Sequence, residues 1–279
     1  MVDDEADLAP CYRHPDRLTG IACSNCGRPI CTDCATQTPV GQRCPECTGR
    51  QRVLRPRAVA AATPVVTYAL IAINVVVFVV FQNGLAGGSL GAAGGLQESF
   101  TNRFLLYGPA IAINHEYYRL LTSAFLHGSL LHIGFNMYAL WLFGPALEQR
   151  LGRLRYVLLY LVAGLWGSAG ALLLTPNSPT LGASGAIFGV LGAIGVAQRL
   201  AGARGFGGIG VIVAINLVLS LRPGISIGGH IGGLIGGAIS AYLLEKSGVF
   251  KRSPDFMTIA GMAALAVIGI AAGIVFAGR

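Results

Sequence analysis

The chain has 279 residues, of which 53% are hydrophobic and only 11% charged. A soluble domain carries about 25% charged residues, so this composition excludes an ordinary water-soluble enzyme and points to a bilayer. The net charge of +8 lies in short clusters beside apolar runs, a distribution that marks membrane orientation rather than nucleic-acid binding.

No signal peptide is apparent at the start: residues 1–10 are acidic and the first apolar run begins near Pro64. Residues 1–48 form a polar head that holds all seven cysteines. They are spaced as Cys11-x2-His14, Cys23-x2-Cys26, Cys31-x2-Cys34 and Cys44-x2-Cys47. Seven Cys and one His make eight ligands, enough for two tetrahedral zinc sites, and the x2 spacing lets two side chains grip one ion. A disulfide framework is the alternative. An odd count and a cytoplasmic head, argued below, both favour zinc. A head of this size has little core and is expected to fold on metal. The spacing alone leaves open whether sequential or alternate pairs share an ion.

Residues 49–63 read as a basic linker carrying Arg50, Arg52, Arg55 and Arg57. Seven apolar segments follow, at about 64–82, 130–147, 156–174, 182–199, 208–221, 227–244 and 256–277. Most reach the ~17–25 residues of a spanning helix. The fifth is short, flanked by Gly207, Gly208 and Arg222. Seven such runs with almost no amphipathic periodicity predict an all-α polytopic membrane protein. Forty glycines, about twice the usual ~7%, fall mostly in these runs, where they let backbones approach closely.

Basic residues orient the spans. With the head inside, the linker arginines, Arg150, Arg153, Arg155, Arg199, Arg204, Lys246, Lys251 and Arg252 all fall on the cytoplasmic side. Only Arg103, Arg119, Arg222 and Arg279 fall outside. The expected topology is therefore a cytoplasmic N-terminus and an external C-terminus. One long external loop, Asn83 to about Ser129, starts flexibly with glycines from Gly84 to Gly95. It ends in Tyr117-Tyr118-Arg119-Leu120-Leu121, a stretch suited to the membrane interface.

Polar residues inside the spans are few: His132, Asn136, Ser184, Asn216 and His230. Such residues are costly in lipid and by default mark function. All twelve acids lie in the head, the loops or span ends. That distribution argues against an aspartyl intramembrane protease and a carboxylate-dependent transporter. The only His-Glu pair, His115-Glu116, is followed by Tyr117, Tyr118 and Arg119, so the second histidine of a zinc metalloprotease motif is missing. A Ser-His pair with amide and imidazole donors is what these spans can supply.

Gly182-Ala183-Ser184-Gly185 opens the fourth span, where small neighbours expose the hydroxyl. The unpartnered amides of a helix N-terminus can stabilise an oxyanion there. His230 opens the sixth span at the same external side. Gly185 and Gly189 share one face of the fourth helix, and Gly233 and Gly237 one face of the sixth. Two such small-residue faces pack closely and are expected to bring Ser184 within hydrogen-bond reach of His230. His132 and Asn136, at i and i+4, share a helix face and can both donate to an oxyanion.

These motifs resemble the signature of the rhomboid intramembrane proteases. The resemblance rests on Gly182-Ala183-Ser184-Gly185-Ala186, His127-x4-His132-x3-Asn136 and Gly229-His230-x2-Gly233-x3-Gly237. Glu116-Tyr117-Tyr118-Arg119 looks like the family's Trp-Arg loop element with Tyr118 in place of the Trp, and Glu148-x3-Leu151-Gly152 also fits. It covers about residues 64–245 and implies a six-helix protease core. The seventh span, within 246–279, resembles the six-plus-one variant. The resemblance implies Ser184 as nucleophile, His230 as its base, and an oxyanion hole of His132, Asn136 and the Ser184 amide. It also implies Phe188 against the histidine, with Gly182, Gly185, Arg119 and His127 in support. No cofactor is expected for catalysis.

The order of the head's ligands resembles a B-box-type zinc finger, in which alternate pairs share a metal. That implies Cys11, His14, Cys31 and Cys34 at one site and Cys23, Cys26, Cys44 and Cys47 at the other. A protein partner or self-association is expected for the head, and no nucleic acid. The expected activity is serine-dependent hydrolysis of transmembrane-protein substrates within the cell membrane. The alternative is a catalytically silent rhomboid-like scaffold or chaperone for transmembrane clients.

Overall fold

A computed structural model of the chain describes residues 8–38, 41–49, 63–82, 96–202, 207–246 and 255–279. The linker arginines and the glycines Gly84 to Gly95 lie outside the described residues, as do Arg204, Lys251 and Arg252. The chain divides into two compact units, one within residues 1–61 and one within 62–279.

The first unit is small and loop-rich. Strands β1 (Ala9–Pro10) and β2 (Leu18–Thr19) form one antiparallel pair, and β3 (Thr36–Thr38) and β4 (Gly41–Arg43) another, before helix α1 (Pro45–Gly49). Its core is Ile30 packed among Cys11, Cys23, Cys31, Cys34 and Cys44. A core made mostly of cysteine side chains has little hydrophobic stability of its own.

The second unit is helical. Its long helices are α2 (Val65–Val76), continued as a π-helix over Val77–Gln82, α6 (Leu130–Leu151), α7 (Arg153–Leu174), α8 (Ser184–Leu200), α9 (Gly207–Leu219), α10 (Ile227–Lys246) and α11 (Asp255–Ala277). Each of the seven expected segments is therefore a helix. Among the described residues five are long and apolar enough to cross a membrane, while α8 and α9 are apolar but shorter. The protein is a multi-pass membrane protein.

Between α2 and α6 the described part of the long loop is folded into α3 (Leu96–Phe104), α4 (Gly108–Asn114) and α5 (Arg119–Thr122). The expected flexibility at Gly84 to Gly95 falls outside the described residues, and what the sequence read as an interfacial stretch, Tyr117 to Leu121, is here part of a built platform. Phe100 and Phe104 of α3 form a ring cluster with Phe81 and Tyr118. Arg119, only 7% exposed, donates from Nη1 to the carbonyls of Asn102 and Leu105 at 2.7 and 2.8 Å and pairs through Nε with Glu116. One guanidinium thus ties the ends of α3 and α5 together, and the Tyr118 hydroxyl adds a bond to the Arg103 carbonyl.

Glycine sets the spacing of the central helices. A Cβ on Gly233 of α10 would collide with the Gly185 carbonyl on α8, and one on Gly237 with that of Gly189. On its other side α10 meets α7, where Gly228 and Gly170 are equally tight. Lipid supplies no hydrophobic drive between helices, so backbone-to-backbone van der Waals contact is what α10 gains from having no side chains there. On α7, Trp166 also donates from Nε1 to the Leu265 carbonyl at 3.0 Å, which fixes α11 to that helix. At the other edge, buried Glu148 of α6 accepts from the backbone N–H of Val66 and Thr67 and from the Thr67 hydroxyl, capping α2.

Candidate active site and metal clusters

Ser184 is the first residue of α8, and no side chain caps that helix. The first-turn amides are therefore free of a capping oxygen and face the site with the positive end of the helix dipole. Gly182 makes the approach, with φ of +131°, a backbone conformation that a side chain rarely adopts. Its N–H donates to the Ser123 carbonyl at 2.9 Å. A Cβ on Gly182 would lie 2.8 Å from His132 Nε2 and 3.8 Å from Ser184 Oγ, so the imidazole and the hydroxyl converge on this residue.

Just before α10, the Ser226 hydroxyl accepts from the Gly229 N–H at 3.1 Å and fixes the first turn, from which His230 faces Ser184 of α8. His230 Nε2 lies 2.8 Å from Ser184 Oγ. The imidazole stacks on Phe188, one turn along α8, with centroids 4.1 Å apart and planes 10° apart. The ring is 8% exposed.

His132 is placed by its own N-terminus. Ser129 caps α6 by accepting from the His132 N–H at 3.2 Å. The Gly128 N–H donates to His132 Nδ1 at 3.5 Å, which leaves the ring proton on Nε2, the atom beside Gly182. Asn136, one turn further, is buried, and its Nδ2 has no hydrogen-bond partner among the described residues. His127 is 2% exposed, its ring set edge-on to His132 with centroids 5.1 Å apart. Its N–H donates to Gln82 at the end of the π-helix, and Gln82 in turn donates to Thr101 of α3. π-helical turns often sit at functional sites; this one carries a buried amide to the base of the histidine pair.

These groups open onto a cavity of about 990 Å³. Ser184, His230 and His132 line it, and it extends between α6 and α9 past Phe135, Tyr138, Leu142 and Leu219. Its floor is thus polar and its lateral wall apolar. Asn136, one turn along α6 from His132, is not among the residues that line it. Asn216, singled out in the sequence, does line the cavity, while its Nδ2 donates back to the Ile212 carbonyl on its own helix. Chemically, the arrangement offers a serine hydroxyl against an imidazole nitrogen, with amide and imidazole donors nearby and, among the described residues, no carboxylate lining the cavity.

Three residues were not legible as site residues. Gln82 and Ser129 lie at helix ends with no motif around them. Ser220, at the end of α9, meets His230 Nδ1 at 2.6 Å. A serine at a membrane boundary carries no pattern of its own.

In the small unit the ligands form two groups: Cys11, His14, Cys31 and Cys34, and Cys23, Cys26, Cys44 and Cys47. Within each group the ligand atoms lie within 4.8 Å of one another. His14 Nδ1 sits 3.4 Å from both Cys31 and Cys34 Sγ. The Cys44 amide donates to Cys23 Sγ at 3.3 Å and, with burial working against it, lowers that thiol to about 6. Four soft or borderline donors in a tetrahedral-sized cluster fit zinc. Alternate pairs meet at each cluster, the cross-braced order.

Comparison with known proteins bears on the second unit. Residues 114–247 match the Rhomboid domain. The chain is 35% identical over 225 residues to Rhomboid protease GluP of Bacillus subtilis, an alignment covering 77% of this chain and 41% of that protein. It is 36% identical over 123 residues to RHOMBOID-like protein 1 of Arabidopsis thaliana, covering 42% of this chain and 31% of the relative. It is also 39% identical over 85 residues to Inactive RHOMBOID-like protein 8 of Arabidopsis thaliana, covering 30% and 24%. The chain thus spans less than half the length of each of these relatives.

Proposed function

With a rhomboid domain over residues 114–247 as the premise, we propose that this protein is an intramembrane serine endopeptidase acting through a Ser184–His230 dyad. The observation that carries the reading is the 2.8 Å approach of His230 Nε2 to Ser184 Oγ at the open N-terminus of α8. His230 takes the Ser184 proton as Oγ attacks a substrate carbonyl. The oxyanion is held by His132 Nε2–H, by the unpartnered Nδ2 of Asn136 and by the Ser184 amide. His230 then passes its proton to the leaving amine, and water admitted through the cavity hydrolyses the acyl-enzyme. Gly182 and Gly185 keep the turn and the helix seam close, Phe188 holds the imidazole plane, and Arg119 and His127 secure the loop above.

The substrate is a transmembrane protein whose helix can unwind at the external face. The apolar wall between α6 and α9 suits entry from the bilayer, and the polar floor suits an extended backbone. The N-terminus is cytoplasmic and the C-terminus external, on the distribution of Arg and Lys. Residues 1–48 form a B-box-like head holding two structural zinc ions, joined by linker 49–63 to a protease core at 64–245. Residues 246–279 contain the linker to the seventh helix and that helix itself. The head serves a protein partner or self-association rather than nucleic acid.

One relative is named inactive, and a silent scaffold for transmembrane clients is the competing reading. Cleavage of a transmembrane substrate by the purified protein, beside Ser184→Ala and His230→Ala, decides between them. Cutting by the unaltered protein alone is expected. If no substrate is cut and a reactive-serine probe leaves Ser184 unlabelled, the scaffold reading prevails.

A further inference from the structure

Ser220 closes α9 and is 2% exposed. Its hydroxyl lies 2.6 Å from the Asn216 carbonyl and 2.6 Å from His230 Nδ1. A serine has one proton to give and can also accept. The carbonyl can only accept, so the proton goes to Asn216; otherwise two oxygens would face each other at that separation with no hydrogen between them. The Ser220 oxygen must then accept from His230, which requires the imidazole proton to be on Nδ1. Nε2 is left with its lone pair toward Ser184 Oγ, the tautomer a general base needs.

We infer that Ser220 is a positioning residue that holds His230 in its Nδ1–H tautomer through the relay His230 Nδ1–H to Ser220 Oγ–H to the Asn216 carbonyl. This rests on the protease reading for its catalytic consequence, though not for its geometry. In a serine protease triad a carboxylate does this work. Here a neutral hydroxyl from a different helix does it, at a buried position where an unpaired carboxylate would be costly. The relay also places the third group on α9, one wall of the cavity, rather than on the helices that carry the dyad.

Two readouts test it on the full chain in detergent micelles. The first is the ¹⁵N spectrum of histidine-labelled protein, with the His230 signals identified by their loss in His230→Gln. The unaltered protein and Ser220→Thr should show a protonated Nδ1, while Ser220→Ala should show mixed tautomers. The second is cleavage kinetics. Ser220→Ala should lower kcat roughly tenfold, the worth of one hydrogen bond to a group that becomes charged, with KM unchanged, and Ser220→Thr should restore it. A purely structural serine would move KM or folding, and the hydroxyl of threonine would not rescue kcat selectively. His230 protonated on Nε2 in the unaltered protein, or a Ser220→Ala protein with unchanged tautomer and kcat, overturns the inference. Failure of the protease reading looks different: no form cleaves anything, yet the tautomer signal still decides the role of Ser220.

Discussion

Gly233 on α10 lies against the carbonyl oxygen of Gly185 on α8, with no room between them for a methyl group. That seam brings the two helices to backbone contact, and Ser184 and His230 stand at its end, 2.8 Å apart. The dyad distance is therefore a property of helix spacing.

Gly233→Ala should part the helices and cost at least about 10²-fold in activity, the scale expected for a misplacement of ~1 Å. Gly134, which has open space around it, supplies the control: Gly134→Ala should cleave normally. Turnover of the two variants under identical conditions checks this, and equal activity would show that the seam does not set the dyad.

His132→Ala and Asn136→Ala test the oxyanion donors separately. Each lost donor should lower kcat by about 10²–10³-fold with little change in KM. His132 lines the cavity and Asn136 does not, so the His132 variant should be the more damaged of the two. The reverse ranking would mean that Asn136 makes the closer approach to the developing charge.

Glu148 is 3% exposed and accepts three hydrogen bonds at the start of α2, at 2.8 to 3.0 Å. Its replacement by Ala leaves the buried Thr67 N–H and the half-buried Val66 N–H unpaired, a loss of about 1–3 kcal/mol. A lower thermal midpoint in detergent is the expected outcome, with Glu148→Gln intermediate because one oxygen still accepts.

Arg119→Lys keeps the charge and loses the fork. A lysine has no planar pair of donors with which to reach the Asn102 and Leu105 carbonyls and Glu116 together. Proteolytic nicking between α3 and α5 should accelerate several-fold, read by limited proteolysis in micelles. An unchanged nicking rate would show that the aromatic cluster alone holds the platform.

The full chain should carry two zinc ions by elemental analysis. Cys31→Ser should lower the content toward one, and so should Cys44→Ser, since each removes one ligand from a different cluster. Chelation should unfold the small unit, whose core is mostly ligand side chains. Retention of two ions by both variants would count against the clusters as zinc sites.

Much of this was legible in the sequence for a plain physical reason. Spans must be apolar for their whole length, so seven apolar runs predicted seven helices within a few residues of their observed bounds. Polar residues inside them are costly, so His132, Ser184 and His230 stood out without any structure. The x2 spacing of eight ligands marked the head in the same way. Glycines at i and i+4 also predicted the α8–α10 seam, because lipid gives helices little reason to meet closely except backbone contact.

Other features depended on groups far apart in the chain. The platform of α3 to α5 escaped because its helices are short and held by Arg119 and ring contacts rather than by periodicity. Gln82 earns its position only because a π-turn swings it toward His127, 45 residues away. Ser220 is one hydroxyl among many in the sequence, and it becomes the partner of His230 only because the end of α9 meets the first turn of α10. The sequence by itself determined which residues had to leave lipid, and so the helices and the candidate chemistry. Tertiary structure alone decided which polar atoms face one another, because hydrogen bonds are set by distances of tenths of an ångström that no residue spacing encodes.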